Sequence, residues 1–390
     1  MRKACWRRDK REVFGYNVGK MAYLQRISIK GFRSIKEADI ELGKLNVLIG
    51  ANGSGKSNFV SFFDMLSEMM LGRLKNYVSA TGFAKSFLYL GPEITPEMTA
   101  VLEFASEDVI DTYQMRMSYA ARDSLVISDE TLTREHKRLA IPKQTIVLPG
   151  SGLEARIAEL SSDGPPEAMH VAKFLNDCWV YHFQNMSPSA RIRQHSYIGE
   201  NRWLLRDGGN LAALLYVYRQ KYEMVYRRIV SAIRKVLPGF GDFDLNPHQL
   251  NAKEIDLEWR KSGADYLFGP HQISDGSLRA MAILTLLLQP EKELPGVIIL
   301  DEPELGLHPY AVAIIAGLLR AASLSSQVIV ATQSQAFLDH FEPSEILVVD
   351  ADKNGSHFKR LDEEELKDWL ADYSIGELWD KNVIGGGPFS

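Results

Sequence analysis

Two stretches far apart in the chain carry residue types that can handle a polyphosphate. The first, Gly50-Ala51-Asn52-Gly53-Ser54-Gly55-Lys56-Ser57-Asn58, fits the pattern G-x-x-x-x-G-K-[ST]. Gly50, Gly53 and Gly55 let the backbone turn tightly with its N–H groups facing inward, so the whole loop, with Asn52, Ser54 and Asn58, reads as a phosphate cradle. Lys56 brings a mobile positive charge to outer phosphates, and Ser57 a hydroxyl for Mg²⁺. The second stretch, Val297-Ile298-Ile299-Leu300-Asp301-Glu302-Pro303, is an apolar run closed by two acids. Asp301 can hold Mg²⁺ directly or through water, and Glu302 can orient or deprotonate an attacking water. Two unpaired acids ending an apolar strand are costly without a cation nearby.

These groups need a sheet to hold them. Leu45-Asn46-Val47-Leu48-Ile49 reads as a strand feeding the glycine-rich turn, and Phe59 onward to about residue 76 as a helix whose positive end points at the same spot. A buried strand over Val297–Leu300 puts Asp301 at the carboxyl edge of the sheet, the side where phosphate sits. Gln327-Val328-Ile329-Val330-Ala331-Thr332-Gln333-Ser334 is another apolar strand ending in polar groups, and Gln333 is placed to sense an outer phosphate or hold water. Trp179-Val180-Tyr181-His182-Phe183 runs into a polar loop in which Gln184 can reach Mg²⁺ or the water. Arg191 and Arg193 can face phosphate, or simply belong to a surface loop. Ser274-Asp275-Gly276 opens the apolar helix over 280–288, where Ser274 and free N–H groups can seat an anion.

The chain has 390 residues, 45% hydrophobic and 24% charged, the composition of a globular protein too long for one small core. No apolar run reaches membrane-spanning length, and Cys5 and Cys178 match no metal spacing, so a cytoplasmic location is expected. A formal charge of −5 gives no global attraction to nucleic acid, although one face can still be basic.

Residues 1–20 are rich in Arg and Lys without an apolar signal core, and read as a disordered leader or a nucleic-acid-binding arm. The expected organisation is an N-terminal part at 21–150, with strands before the glycine-rich loop and an antiparallel meander from about 98 to 147; a helical insertion at 151–250; and a C-terminal part at 251–388. Arg33, in a turn just ahead of the loop, can reach phosphate or base, or remain a solvated turn residue. One long helix is expected over 209–237, with Arg227, Arg228, Arg234 and Lys235 available to a polyanion or to water. No heptad is sustained, so no long coiled coil is expected. The tail Gly385-Gly386-Gly387-Pro388 reads as flexible.

Taken in order, Gly50–Ser57, Ser274-Asp275-Gly276, Leu300-Asp301-Glu302-Pro303, Leu305-Gly306-Leu307-His308-Pro309 and Ala331-Thr332-Gln333-Ser334 resemble the ABC-type ATPase heads of the RecF/SMC/OLD-like group. Ile29-Lys30-Gly31-Phe32-Arg33-Ser34-Ile35 resembles the opening of such heads, and Trp369-Leu370, Tyr373 and Gly376-Glu377-Leu378-Trp379 resemble the ending of compact bacterial ATPases with an AAA_21-type domain. The resemblance implies an α/β P-loop NTPase of ABC-head type, with a mixed core sheet, an antiparallel flanking sheet and a helical insertion. It implies a homodimer that traps ATP at its interface: Lys56, Asp301 and Glu302 act in cis, Gln184 joins Ser57 and Asp301 around Mg²⁺, and Ser274 and Gly276 close on the partner's nucleotide. Two departures stand out. Asp275 replaces the first of two adjacent glycines, and Gln333 stands where such heads carry a histidine, so no imidazole proton is available there. DNA, and a separately encoded nuclease or effector, are partners the resemblance admits; a switch acting on proteins without DNA is the alternative. A transport ATPase for a membrane partner fits least, given the antiparallel insert.

Overall fold

A computed structural model describes residues 23–139, 141–150, 152–160 and 164–387. The leader expected at 1–20 and Pro388 of the glycine-rich tail lie outside the described residues.

Apolar runs without alternation build the central sheet. Leu45–Ile49, Cys178–Tyr181, Val297–Asp301 and Gln327–Thr332 lie side by side in parallel, in the order Cys178–Tyr181, Val297–Asp301, Gln327–Thr332, Leu45–Ile49. Ile346–Asp352 adds a fifth parallel strand, and Gly355–Arg360 closes the edge antiparallel to it. Such a sheet must be covered on both faces. Val47, Ile49, Ile298 and Leu300 point into one apolar cluster, and Leu48, Val297 and Ile299 into the other. The helices Leu211–Lys221, Glu223–Val236, Asp275–Leu288 and Pro309–Ala322 build the first face. Lys56–Met70 and Pro166–Asn176 lie on the second, together with the flanking sheet.

The flanking sheet is wholly antiparallel, with Tyr23–Phe32 between Ile35–Glu41 and Glu97–Ala105, followed by Val109–Ala120, Ser124–His136 and Gln144–Val147. Buried Gln327 bolts the two sheets together. Its side chain accepts the Leu24 N–H at 3.0 Å and donates to the carbonyls of Leu24 and Gly43, both at 2.8 Å.

Three expectations need correction. The helix over 209–237 bends at Tyr222 (φ −132°, ψ 55°), although Tyr222 N–H still reaches Tyr218 O at 2.8 Å. The helix after the glycine-rich loop stops at Met70, because Gly72 takes φ +65°, and a second begins at Leu74. The described part of the glycine tail is pinned: Gly386 O accepts the Ala51 N–H at 2.9 Å and the Trp379 indole N–H at 3.0 Å.

Candidate functional site

The parallel register explains why distant residues meet. Thr332 pairs with Ile49 and Asp301 with Ala331, so these strands end at one level. Loops leaving their carboxyl ends deliver Gly50–Gly55, Asp301–Glu302 and Gln333 to one edge, and the loop after Cys178–Tyr181 delivers Gln184.

Close packing fixes the glycine-rich loop. A Cβ on Gly50 would lie 2.1 Å from Val349 O, and one on Gly55, at φ +113°, would lie 2.1 Å from Ser356 Oγ. Only glycine fits at either place. Lys56, the first residue of its helix, is buried and donates to Gly50 O at 2.6 Å and Ala51 O at 3.0 Å. Burial holds its ammonium below the ordinary value, against the pull of Asp301, Glu302 and Glu304. Ser54 Oγ is buried without a hydrogen-bond partner, while Asn52, Gly53 and Ser57 are exposed. Asn58 Nδ2 donates to Ser34 Oγ at 2.7 Å, and Ser34 meets Ser356 at 2.8 Å.

Burial raises the Asp301 carboxyl above the usual range, and Glu302 adds to the rise while Lys56 opposes it. Gln184 Nε2 donates to the Asp301 carbonyl at 3.3 Å. Glu302 adopts φ +49°, a left-handed conformation costly for a residue with a side chain, and its N–H bonds Ala331 O at 2.8 Å. Gln333 Nε2 donates to Glu302 Oε1, and Thr332 Oγ1 to Glu304 Oε1. Glu304 is buried, its second carboxylate oxygen has no partner, and burial pushes its carboxyl up to about 7. His182 Nε2 pairs with Asp64 at 2.9 Å, which raises the imidazole against the opposing effect of burial.

Two buried arginines organise the remaining loops. Arg279, in the apolar helix Asp275–Leu288, donates to Phe183 O at 2.9 Å, to Gln184 O at 3.3 Å and to Leu305 O. Arg193 donates to Met186 O at 2.8 Å, Ile273 O at 2.9 Å, Pro270 O, and the Asp275 carboxylate at 2.6 Å. Arg193, read as facing phosphate or as part of a surface loop, does neither: its buried guanidinium is held by loop carbonyls and by Asp275. Arg191 pairs with Glu200 and Asp207. Ser274 caps its helix, accepting the Ser277 N–H at 3.2 Å, and stays exposed. Gly276 abuts the loop after the acids, since a Cβ there would lie 2.2 Å from Gly306 O.

Arg33 adopts φ +48° and stacks against Phe32 and Phe87, its Cζ 5.5 and 5.1 Å from the ring centroids. Its Nε is buried without a hydrogen-bond partner. With Ser34, Asn58, Thr81, Ser86 and Leu88 it lines an open cleft of about 460 Å³ beside the helix that follows the loop.

Sequence reasoning missed Arg279, Glu304, Thr332 and the His182–Asp64 pair. For Arg279 a signal existed: one arginine in an otherwise apolar helix must find buried partners. The others depend on contacts between distant loops.

Residues 23–147 match a family described as an AAA ATPase domain, AAA_15. Residues 184–339 match AAA_21, described as "AAA domain, putative AbiEii toxin, Type IV TA system". No curated protein matches the chain. Among solved structures, an Smc head bound to the C-winged helix domain of ScpA matches at 17% identity and a TM-score of 0.57, over 89% of this chain and 99% of that one. An Smc head with an extended coiled coil, bound to the C-terminal domain of ScpA derived from Pyrococcus furiosus, matches at 16% identity and a TM-score of 0.55, over 90% and 99%. At these identities the likeness speaks for the fold. With the nucleotide-type loop in one matched segment and the paired acids in the other, the chain carries AAA-type ATPase segments, an ATP-hydrolysing module, on a fold like that of the Smc heads.

Proposed function

We propose that this chain is a dimerising nucleotide switch, closed by ATP and reopened by in-line attack of water on the γ-phosphate. One observation carries the reading: the loops with Lys56, Asp301–Glu302, Gln184 and Gln333 converge at one sheet edge, while Ser274 stands exposed at the head of its own helix. The first set makes a cis half-site, and the Ser274–Gly276 turn is the surface offered to a second copy's nucleotide. Orphaned Ser54 Oγ and the close-packed glycines fit a phosphate chain. The Arg33 cleft suits a nucleotide base, stacked on the guanidinium. The donor set also fits Mg²⁺: Ser57, Asp301 and Gln184 would hold it, and it would neutralise charge on the phosphates. Glu302, steadied by Gln333, accepts the proton of the attacking water.

Phosphate release and light scattering test this together. Wild type should release phosphate in a Mg²⁺-dependent manner, Lys56→Ala should fail to bind ATP, and Glu302→Gln should accumulate as an ATP-bound dimer. Equal release from all three would sink the assignment.

The output is a DNA-linked role in repair or defence, or a protein-directed role without DNA. The second gains from one observation: Arg227, Arg228 and Arg234 of the helix Glu223–Val236 are engaged by Glu223, Leu288 O and Gly241 O. The Smc heads above bind a protein domain, and a protein effector is proposed here too. ATP-dependent DNA binding whose affinity falls with salt would restore the DNA-linked role.

A further inference from the structure

Away from the nucleotide loop, three chain segments converge on a small cluster of metal-binding side chains. His195 precedes the short strand Ser196–Tyr197, and Asp256 follows its antiparallel partner Glu254–Ile255. His248 is drawn alongside by the bridge between Pro247 and Ile255 and by its N–H bond to Glu254 O at 3.0 Å. His195 Nδ1 lies 2.6 Å from Asp256 Oδ1, and His248 Nε2 lies 2.7 Å from Asp256 Oδ2. The two imidazoles meet edge to face at 84°, with centroids 4.7 Å apart. One donor atom from each of the three side chains falls within 4.8 Å of the others.

We propose that His195, His248 and Asp256 bind one Zn²⁺ ion. Two imidazole nitrogens and a carboxylate oxygen form a borderline donor set that favours zinc over the hard cations Mg²⁺ and Ca²⁺. Zinc takes such ligands at about 2.0–2.1 Å in a tetrahedron, which sets donor separations near ~3.3 Å. The two imidazole-to-carboxylate spacings, 2.6 and 2.7 Å, are shorter, as they must be while Asp256 accepts a hydrogen bond from each ring. A small outward swing of the side chains opens the site, and exposed His195 has room for it. Each ring then carries its N–H on the nitrogen away from the metal. Three protein ligands at the surface leave a fourth position to water.

The position gives the ion a consequence. Arg193, two residues before His195, holds Asp275 beside Ser274. Zinc would therefore stiffen the segment that links the Gln184 loop to the Ser274 turn. The inference does not depend on the proposed switch, because it concerns metal binding alone.

The test uses the untagged full-length protein with excess Mg²⁺ present to occupy the acid site. Zn²⁺ titrated by calorimetry should bind wild type with one equivalent more than the His195→Ala/His248→Ala variant. Co²⁺ should give the visible absorption of a tetrahedral site in wild type and not in the variant. Zn²⁺ should raise the melting temperature of wild type only. The single variant His195→Ala, at an exposed position, should weaken Zn²⁺ binding by at least about tenfold, and Asp256→Asn should do the same. Equal zinc stoichiometry in wild type and the double variant, or a wild type without the cobalt band, would overturn the proposal. Should the double variant melt low without metal, the His195→Ala comparison decides by the same criteria.

Discussion

The side-chain amide of Gln333 donates to the carboxylate of Glu302. Glu302 sits in a left-handed conformation at φ +49°, so strand geometry and this one hydrogen bond together aim its carboxylate. Where a histidine would add a second titrating group, the amide adds only direction. On the proposed roles, Glu302→Gln should slow phosphate release by about 10²-fold or more while nucleotide binding persists. Gln333→Ala should cost less, and combining it with Glu302→Gln should add little, because the two act on one water. Single-turnover rates of the four proteins check this. Additive losses would separate Gln333 from Glu302.

Arg193 and Asp275 make an asymmetric pair. The Arg193 side chain is 5% exposed and that of Asp275 67% exposed, joined at 2.6 Å. The carboxylate is screened by water, so Asp275→Asn should change stability by less than about 1 kcal/mol. Arg193→Met strands carbonyls of Met186, Pro270 and Ile273, and should cost about 3 kcal/mol or more. Urea midpoints of the two variants decide. A large loss in Asp275→Asn would show the ion pair, rather than the carbonyl contacts, to be the main tie.

Local chemistry explains what could be read in advance. Gly50–Ser57 and Asp301–Glu302 announce themselves because the residue types are contiguous and each follows an apolar strand. Their meeting at the carboxyl edge of one sheet was expected; the order of its parallel strands was not read. What escaped reading joins residues distant in sequence: Gln327 to Leu24, Arg279 to Phe183, and Thr332 to Glu304. The glycine tail misled for another reason. Glycine composition suits disorder, yet Gly385 and Gly386 use positive φ, +79° and +69°, to pass close to the glycine-rich loop at Gly50 and Ala51.

That passage is testable. Gly386 O accepts one N–H of the loop itself, from Ala51, as well as the Trp379 indole. Trp379→Phe keeps most of the ring packing and removes one hydrogen bond, so it should cost about 1 kcal/mol. Ending the chain after Ile384 removes both contacts and should weaken nucleotide binding more than it lowers the melting temperature of the core. Fluorescent-nucleotide titration beside a thermal melt measures the two effects. Unchanged affinity in the shortened chain would make the tail a mere covering.

Glu304 sets a pH dependence of stability. Burial raises its folded-state value from 4.5 to about 7, so between those pH values the folded chain holds a proton that the unfolded chain has released. Stability contributed by this group is therefore full at low pH and declines as pH rises through about 7, with a slope of at most ~1.4 kcal/mol per pH unit. Carboxylates held low by partners, such as Asp39 beside Arg26 and Asp352 beside His357, contribute the opposite slope, so the comparison must be with a variant. Glu304→Gln can still accept the Thr332 hydroxyl and never ionises. Its stability relative to wild type should rise from pH 5 to pH 8, by up to about 3 kcal/mol. Urea denaturation of both proteins at the two pH values gives the difference directly. A difference that is the same at both would mean that Glu304 ionises freely in the fold, through a cation or water that reaches its unpartnered oxygen.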